Sequence, residues 1–84
     1  MYKLTYTKTF QKDLTQIRRN PALYETLKDL VAVLPENPFL GAEKLEPKFR
    51  NLYSKRINIQ HRLVYKVDKE TQTVKLLACW THYE

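Results

Sequence analysis

The chain has 84 residues, of which 43% are hydrophobic and 29% charged, a size and composition that predict one globular domain over residues 1–84 and leave no room for a second core. It has no apolar run near the roughly 20 residues of a membrane span, no continuous apolar stretch at its start to act as a secretory signal, and a single cysteine, Cys79, that cannot form an internal disulfide; a cytoplasmic protein with no membrane partner is expected. The net charge of +6 and pI near 9.6 favour polyanionic partners, because neutralising phosphates releases condensed counterions.

Taken in order, Tyr2, Leu4 and Tyr6 alternate with Lys3, Thr5 and Thr7, the period-two pattern of a short half-buried strand. From about residue 8 to 19, Phe10, Leu14 and Ile17 recur at helical spacing, with Thr7 or Thr9 available as N-cap. Asn20-Pro21 then resets the helix, since Asn caps well and Pro suits the first helical position. Leu23, Leu27, Leu30, Val31 and Leu34 continue as an apolar stripe that Pro35 ends. With almost no linker at Asn20, the two helices are expected to form a tight hairpin.

Pro35 to Gly41 is the turn-rich stretch, and Gly41 marks the crossing from helices to sheet. Tyr53 to Gln60 alternates, with Tyr53, Lys55, Ile57 and Ile59 on one face and Ser54, Arg56, Asn58 and Gln60 on the other. His61 to Val67 and Val74 to Trp80 are also strand-like, joined by a polar hairpin at 68–72. The order predicts an α+β fold, a two-helix hairpin packed on a twisted antiparallel sheet.

Between Glu46 and Asp68 the chain carries Lys48, Arg50, Lys55, Arg56, Arg62 and Lys66 and no acidic residue. Such a stretch suits a polyanion, and Lys48, Arg50, Lys55 and Arg56 are candidates for phosphate or RNA contact. One glycine cannot build a phosphate-cradling loop, and two histidines and one cysteine show no metal-ligand spacing. No metal and no cofactor is expected. What remains is general acid-base chemistry. Attack of an RNA 2′-hydroxyl on its neighbouring phosphate needs a base, an acid for the leaving 5′-oxygen, and positive charge around the transition state. His82 is the natural acid, because phosphate raises an imidazole pKa. Arg62 and Arg56 can grip non-bridging oxygens, and Glu43 or Glu46 could take the hydroxyl proton. His61 falls on the opposite strand face from Arg62 and reads as structural. Cys79, Tyr53, Tyr65 and Trp80 read as core or cross-strand packing.

The segments Tyr53-Ser54-Lys55-Arg56-Ile57, His61-Arg62-Leu63-Val64-Tyr65 and His82-Tyr83, with Asn37-Pro38-Phe39 before them, closely resemble the YoeB/Txe toxins of bacterial toxin-antitoxin modules, within the RelE/ParE-like superfamily. The resemblance covers about residues 37–83; the N-terminal half agrees in its strand-helix-helix plan. It implies a RelE-like fold and a ribosome-dependent endoribonuclease that cuts mRNA in the A site. His82 would then be the general acid, Arg62 and Arg56 the phosphate-binding arginines, and Tyr83 a residue that holds the substrate or the site. The family's Glu-Pro pair is matched by Glu46-Pro47, but the ungapped register from Tyr53-Ser54 puts Glu43 in the catalytic position. Glu43 is preferred as base and Glu46 is the alternative. The chain departs from the pattern in a shorter loop after Gly41, in Asn51 where glycine is common, and in Glu84 beyond the terminal tyrosine.

The products would be a 2′,3′-cyclic phosphate or 3′-phosphate and a 5′-hydroxyl end. The alternative is a non-catalytic binding toxin of the same superfold, of the gyrase-inhibitor type. Either reading implies an acidic, YefM/Phd-like antitoxin whose disordered C-terminal segment folds on the toxin and through which operator DNA is bound indirectly. Ribosome and mRNA are the expected targets, and a homodimer is possible.

Overall fold

The computed structural model describes residues 1–45 and 51–80. Its elements run β1 (Lys3–Tyr6), α1 (Lys8–Ile17), α2 (Pro21–Ala32), β2 (Glu43–Lys44), β3 (Leu52–Arg56), β4 (Arg62–Asp68) and β5 (Thr73–Ala78). The five strands form one sheet in the order β1-β5-β4-β3-β2.

Each helix starts where a side chain can satisfy free backbone N–H groups. Thr7 Oγ1 accepts from Phe10 N at 3.0 Å, and Asn20 Oδ1 accepts from Leu23 N at 3.2 Å with Pro21 at the first helical position. The helices lie on one face of the sheet. Phe10, Ile17, Leu27 and Leu34 from the helical half meet Leu63, Tyr65, Val67, Val74, Leu76 and Cys79 in a core where all are less than a tenth exposed.

The expected two-helix hairpin on a mostly antiparallel sheet is present, with one parallel pairing, β1 with β5, Leu4 beside Val74 and Tyr6 beside Leu76, because the two intervening helices return the chain across the sheet before β2 begins. The strand expected over 53–60 stops at Arg56. There Asn58 Oδ1 accepts from Gln60 N at 2.9 Å and His61 N at 2.6 Å, and Ile57 N donates to His61 O at 2.9 Å. These bonds turn the chain into a hairpin, leaving Ile59 almost fully exposed at its tip. The alternation of Ile57 and Ile59 runs past the strand because the side-chain turn at Asn58 outweighs it.

The connection from helices to sheet is clipped to the core, since Tyr65 Oη donates to Pro38 O at 2.6 Å. Phe39 packs edge-on against Tyr53, ring centroids 5.2 Å apart. Gly41 has φ +71° and Asn51 φ +64°. Asn51 therefore occupies the left-handed region that a side chain with local hydrogen-bonding capacity tolerates best after glycine, which gives the substitution at this position a backbone reason.

Candidate active site

The sheet face away from the helices collects charge. Register partners share a face, so Glu43 on β2 stands beside Ser54 on β3, and Arg56 on β3 stands beside Arg62 on β4. Arg62 Nε donates to Ser54 Oγ at 3.1 Å, and its Nη2 is ion-paired with Glu43 Oε1. Ser54 is buried and the Arg62 side chain 23% exposed, whereas the Glu43 side chain is 72% exposed. The guanidinium is thus anchored at its Nε by a buried hydroxyl, while its Nη2 reaches a carboxylate that solvent or a ligand can approach. Arg56 is exposed beside it. Two cations and one acid in this arrangement suit a tetrahedral anion flanked by a proton acceptor.

Sequence reasoning singled out neither Ser54 as a partner of Arg62 nor β2. Ser54 had a signal, since its alternation placed it on the face of Arg56. β2 is two residues long in a charged segment and has no periodicity to read. Lys55, a candidate for RNA contact, points the other way: it is the register partner of Leu63, on the helix-covered face, and is 6% exposed. Burial pushes the Lys55 ammonium below its ordinary pKa. Glu46, Lys48, Arg50, His82 and Tyr83 lie outside the described residues.

The end of β5 is held from the helical side. That strand stops at Ala78, two residues before its expected end, following a register irregularity at Val64/Tyr65. One oxygen of Asp13 on α1, Oδ2, accepts from Cys79 N at 3.0 Å and from Trp80 N at 3.2 Å. Thr7 Oγ1 donates to Leu77 O at 3.0 Å. The buried His61 ring stacks on Trp80, 3.9 Å between centroids and 17° between planes, so His61 is a packing residue on the face opposite Arg62. Burial, with the Asp13 charge nearby, raises the Cys79 thiol to about 12, which keeps it protonated and unreactive at neutral pH. Among the described residues no group of three or more His, Cys, Asp or Glu is placed to hold a metal ion, and no helix is long and apolar enough to cross a membrane.

Known proteins resemble this chain over nearly its whole length. The family described as YoeB-like toxin of bacterial type II toxin-antitoxin system matches residues 6–83. The chain is 30% identical over 86 aligned positions to the Toxin YoeB of Synechocystis sp., with 98% of each chain covered. Among solved structures it resembles the YoeB-YefM complex from Staphylococcus aureus, with TM-score 0.79, 30% identity and 99% of both chains covered. It also resembles the YoeB dimer from the same organism, with TM-score 0.81, 29% identity and 98% of both chains covered. A RelE-like α+β fold, a full-length match and a shared family profile lead to one conclusion: the chain belongs to the YoeB family of bacterial toxin-antitoxin toxins.

Proposed function

We propose that this protein is a ribosome-dependent endoribonuclease that inhibits translation by cutting mRNA in the A site, and that it does so by general acid-base chemistry. The observation that carries the reading is the Glu43–Arg62 ion pair braced by Ser54. In the resting protein Arg62 and Glu43 neutralise each other. A phosphate entering the site competes for the guanidinium, and the freed carboxylate is left beside it as a base. Glu43 takes the 2′-hydroxyl proton, Arg62 and Arg56 stabilise the charge that builds on the non-bridging oxygens, and His82 protonates the leaving 5′-oxygen. Tyr83 holds the substrate, Lys48 and Arg50 contact the RNA backbone, and Glu46 is the alternative base. The ribosome's part is to orient the mRNA.

An acidic antitoxin is the expected inhibitor, and the complex of the S. aureus relative with YefM supports it. The dimer of the same relative supports a homodimer here. Operator DNA would be reached through the antitoxin.

The test is primer extension on mRNA from a reconstituted translation system to which the purified protein is added, with a control lacking ribosomes. Cuts confined to ribosome-bound mRNA at the A-site codon are expected. Intact mRNA with folded protein would replace this reading by a non-catalytic binding toxin.

A further inference from the structure

A second cationic cluster lies on the helix-free face, at the other end of β4 from Arg62. Lys66 on β4 and Lys75 on β5 are register partners, Thr5 on β1 is the partner of Lys75, and Thr73 is the partner of both Asp68 and Lys3. Lys66, Lys75, Thr5, Thr73, Thr71 and Asp68 line a shallow depression of about 280 Å³. Like charges directly opposite on adjacent strands repel, and among the described residues neither lysine has a salt bridge. The one carboxylate here, Asp68, is tied into its own turn, accepting from Glu70 N at 3.0 Å and Thr71 N at 3.2 Å. The Thr71 and Thr73 hydroxyls are hydrogen-bonded to each other at 3.1 Å. Asp68 also feels the Lys66 charge, yet two ammonium groups and three hydroxyls around one carboxylate leave a net positive depression that suits an anion.

Its position says which anion. Arg62 and Lys66 share a face four residues apart on one strand, about 13 Å at the rise of an extended chain. A few nucleotides of extended single strand cover that distance, with Val64 between the two clusters on the same face. We propose that Lys66 and Lys75 bind a backbone phosphate of the RNA strand flanking the one held at Arg62, so that the helix-free face carries a two-point track. The proposal rests on the reading of the Arg62 end as an RNA site.

The test measures binding by fluorescence anisotropy over a KCl series, using the full antitoxin-free chain. Two labelled probes that cannot be cleaved are compared, a 2′-O-methyl RNA hexanucleotide and a 2′-O-methyl dinucleotide with a single internucleotide phosphate. Each single-strand phosphate contact contributes about 0.7 to the slope of log affinity against log salt. K66A/K75A is therefore expected to lower the hexanucleotide slope by about 0.7, because the two lysines share one phosphate. The dinucleotide should bind the double variant as it binds wild type, and Arg62→Ala should weaken both probes. The melting temperature of K66A/K75A should equal or exceed that of wild type, because a repulsive pair is removed. An unchanged hexanucleotide slope in K66A/K75A, with Arg62→Ala still weakening both probes, overturns the second contact and leaves the proposed function standing. Arg62→Ala without effect on either probe overturns the RNA site on which both rest. Loss of affinity for an acidic peptide with RNA binding unchanged would assign the lysines to a protein partner and overturn the proposal.

Discussion

Arg62 owes its importance to what it touches: a buried hydroxyl on one side and an exposed carboxylate on the other. Such a half-exposed ion pair contributes little to stability, since exposed pairs are worth about 0 to 1 kcal/mol. Its chemistry is separable from the fold. Glu43→Gln is expected to change unfolding free energy by less than about 1 kcal/mol while lowering the cleavage rate by roughly 10²- to 10⁴-fold, the usual loss on removing a general base. Arg62→Ala should lower it by about 10²- to 10³-fold. Single-turnover cleavage on programmed ribosomes, with urea unfolding of the same variants, checks both. A Glu43→Gln variant that cleaves normally would transfer the base role to Glu46. Lys55 makes the opposite case, a cation whose effect falls on the fold. Its pKa is lowered in the folded protein, so between that value and the ordinary 10.5 the unfolded chain binds more protons. Stability from this group therefore rises with pH across that window and is at its lowest below it. Lys55→Met should raise the melting temperature at pH 7 by a few degrees and flatten the alkaline rise. A lower melting temperature with the pH slope intact would show that the ammonium is satisfied where it sits.

At the scale of elements, the pieces that were legible in sequence are those whose ends are set by local chemistry. Thr7 and Asn20-Pro21 start the helices where capping rules place them, and the polar segment after β4 is the turn its composition implies. What was not legible depends on partners far along the chain. Nothing in Lys3–Tyr6 says that its neighbour is β5 or that the pairing is parallel, and nothing in Asp13 says that its carboxylate meets two amides more than sixty residues away. The site divides in the same way. Arg56 and Ser54 share a face by simple alternation, and the ungapped register put Glu43 forward. That Glu43 reaches Arg62 needs β2 and the whole β2-β3-β4 order. Thr7 joins the local and the distant, because its hydroxyl both caps α1 and donates to Leu77 O. Thr7→Ala should cost about 1 to 2 kcal/mol, at the upper end for an N-cap, and Thr7→Ser should restore most of it. A loss of only a few tenths in urea denaturation would mean that the bond to β5 contributes nothing beyond position.

On the scale of the whole molecule, the first strand and the last lie side by side, and the helical hairpin covers one face of the sheet they complete. The other face is left for charge, with Arg56 and Arg62 towards one end of β4 and Lys66 and Lys75 towards the other. Contacts between distant parts of the chain close this architecture, and such contacts favour cooperative opening. The Asp13 carboxylate gives that cooperativity a place where it can be timed. The amides of Cys79 and Trp80 lie past the last residue of β5, where an ordinary strand end would fray, yet both are bonded to a helix. In deuterated buffer they should exchange together with the interior amides of α1, orders of magnitude more slowly than those of the hairpin tip at Ile59 and Gln60. Asp13→Ala should release these two amides while leaving the α1 amides protected. Cys79 and Trp80 would then keep time with the first helix, where a strand end held only by its neighbours would fray.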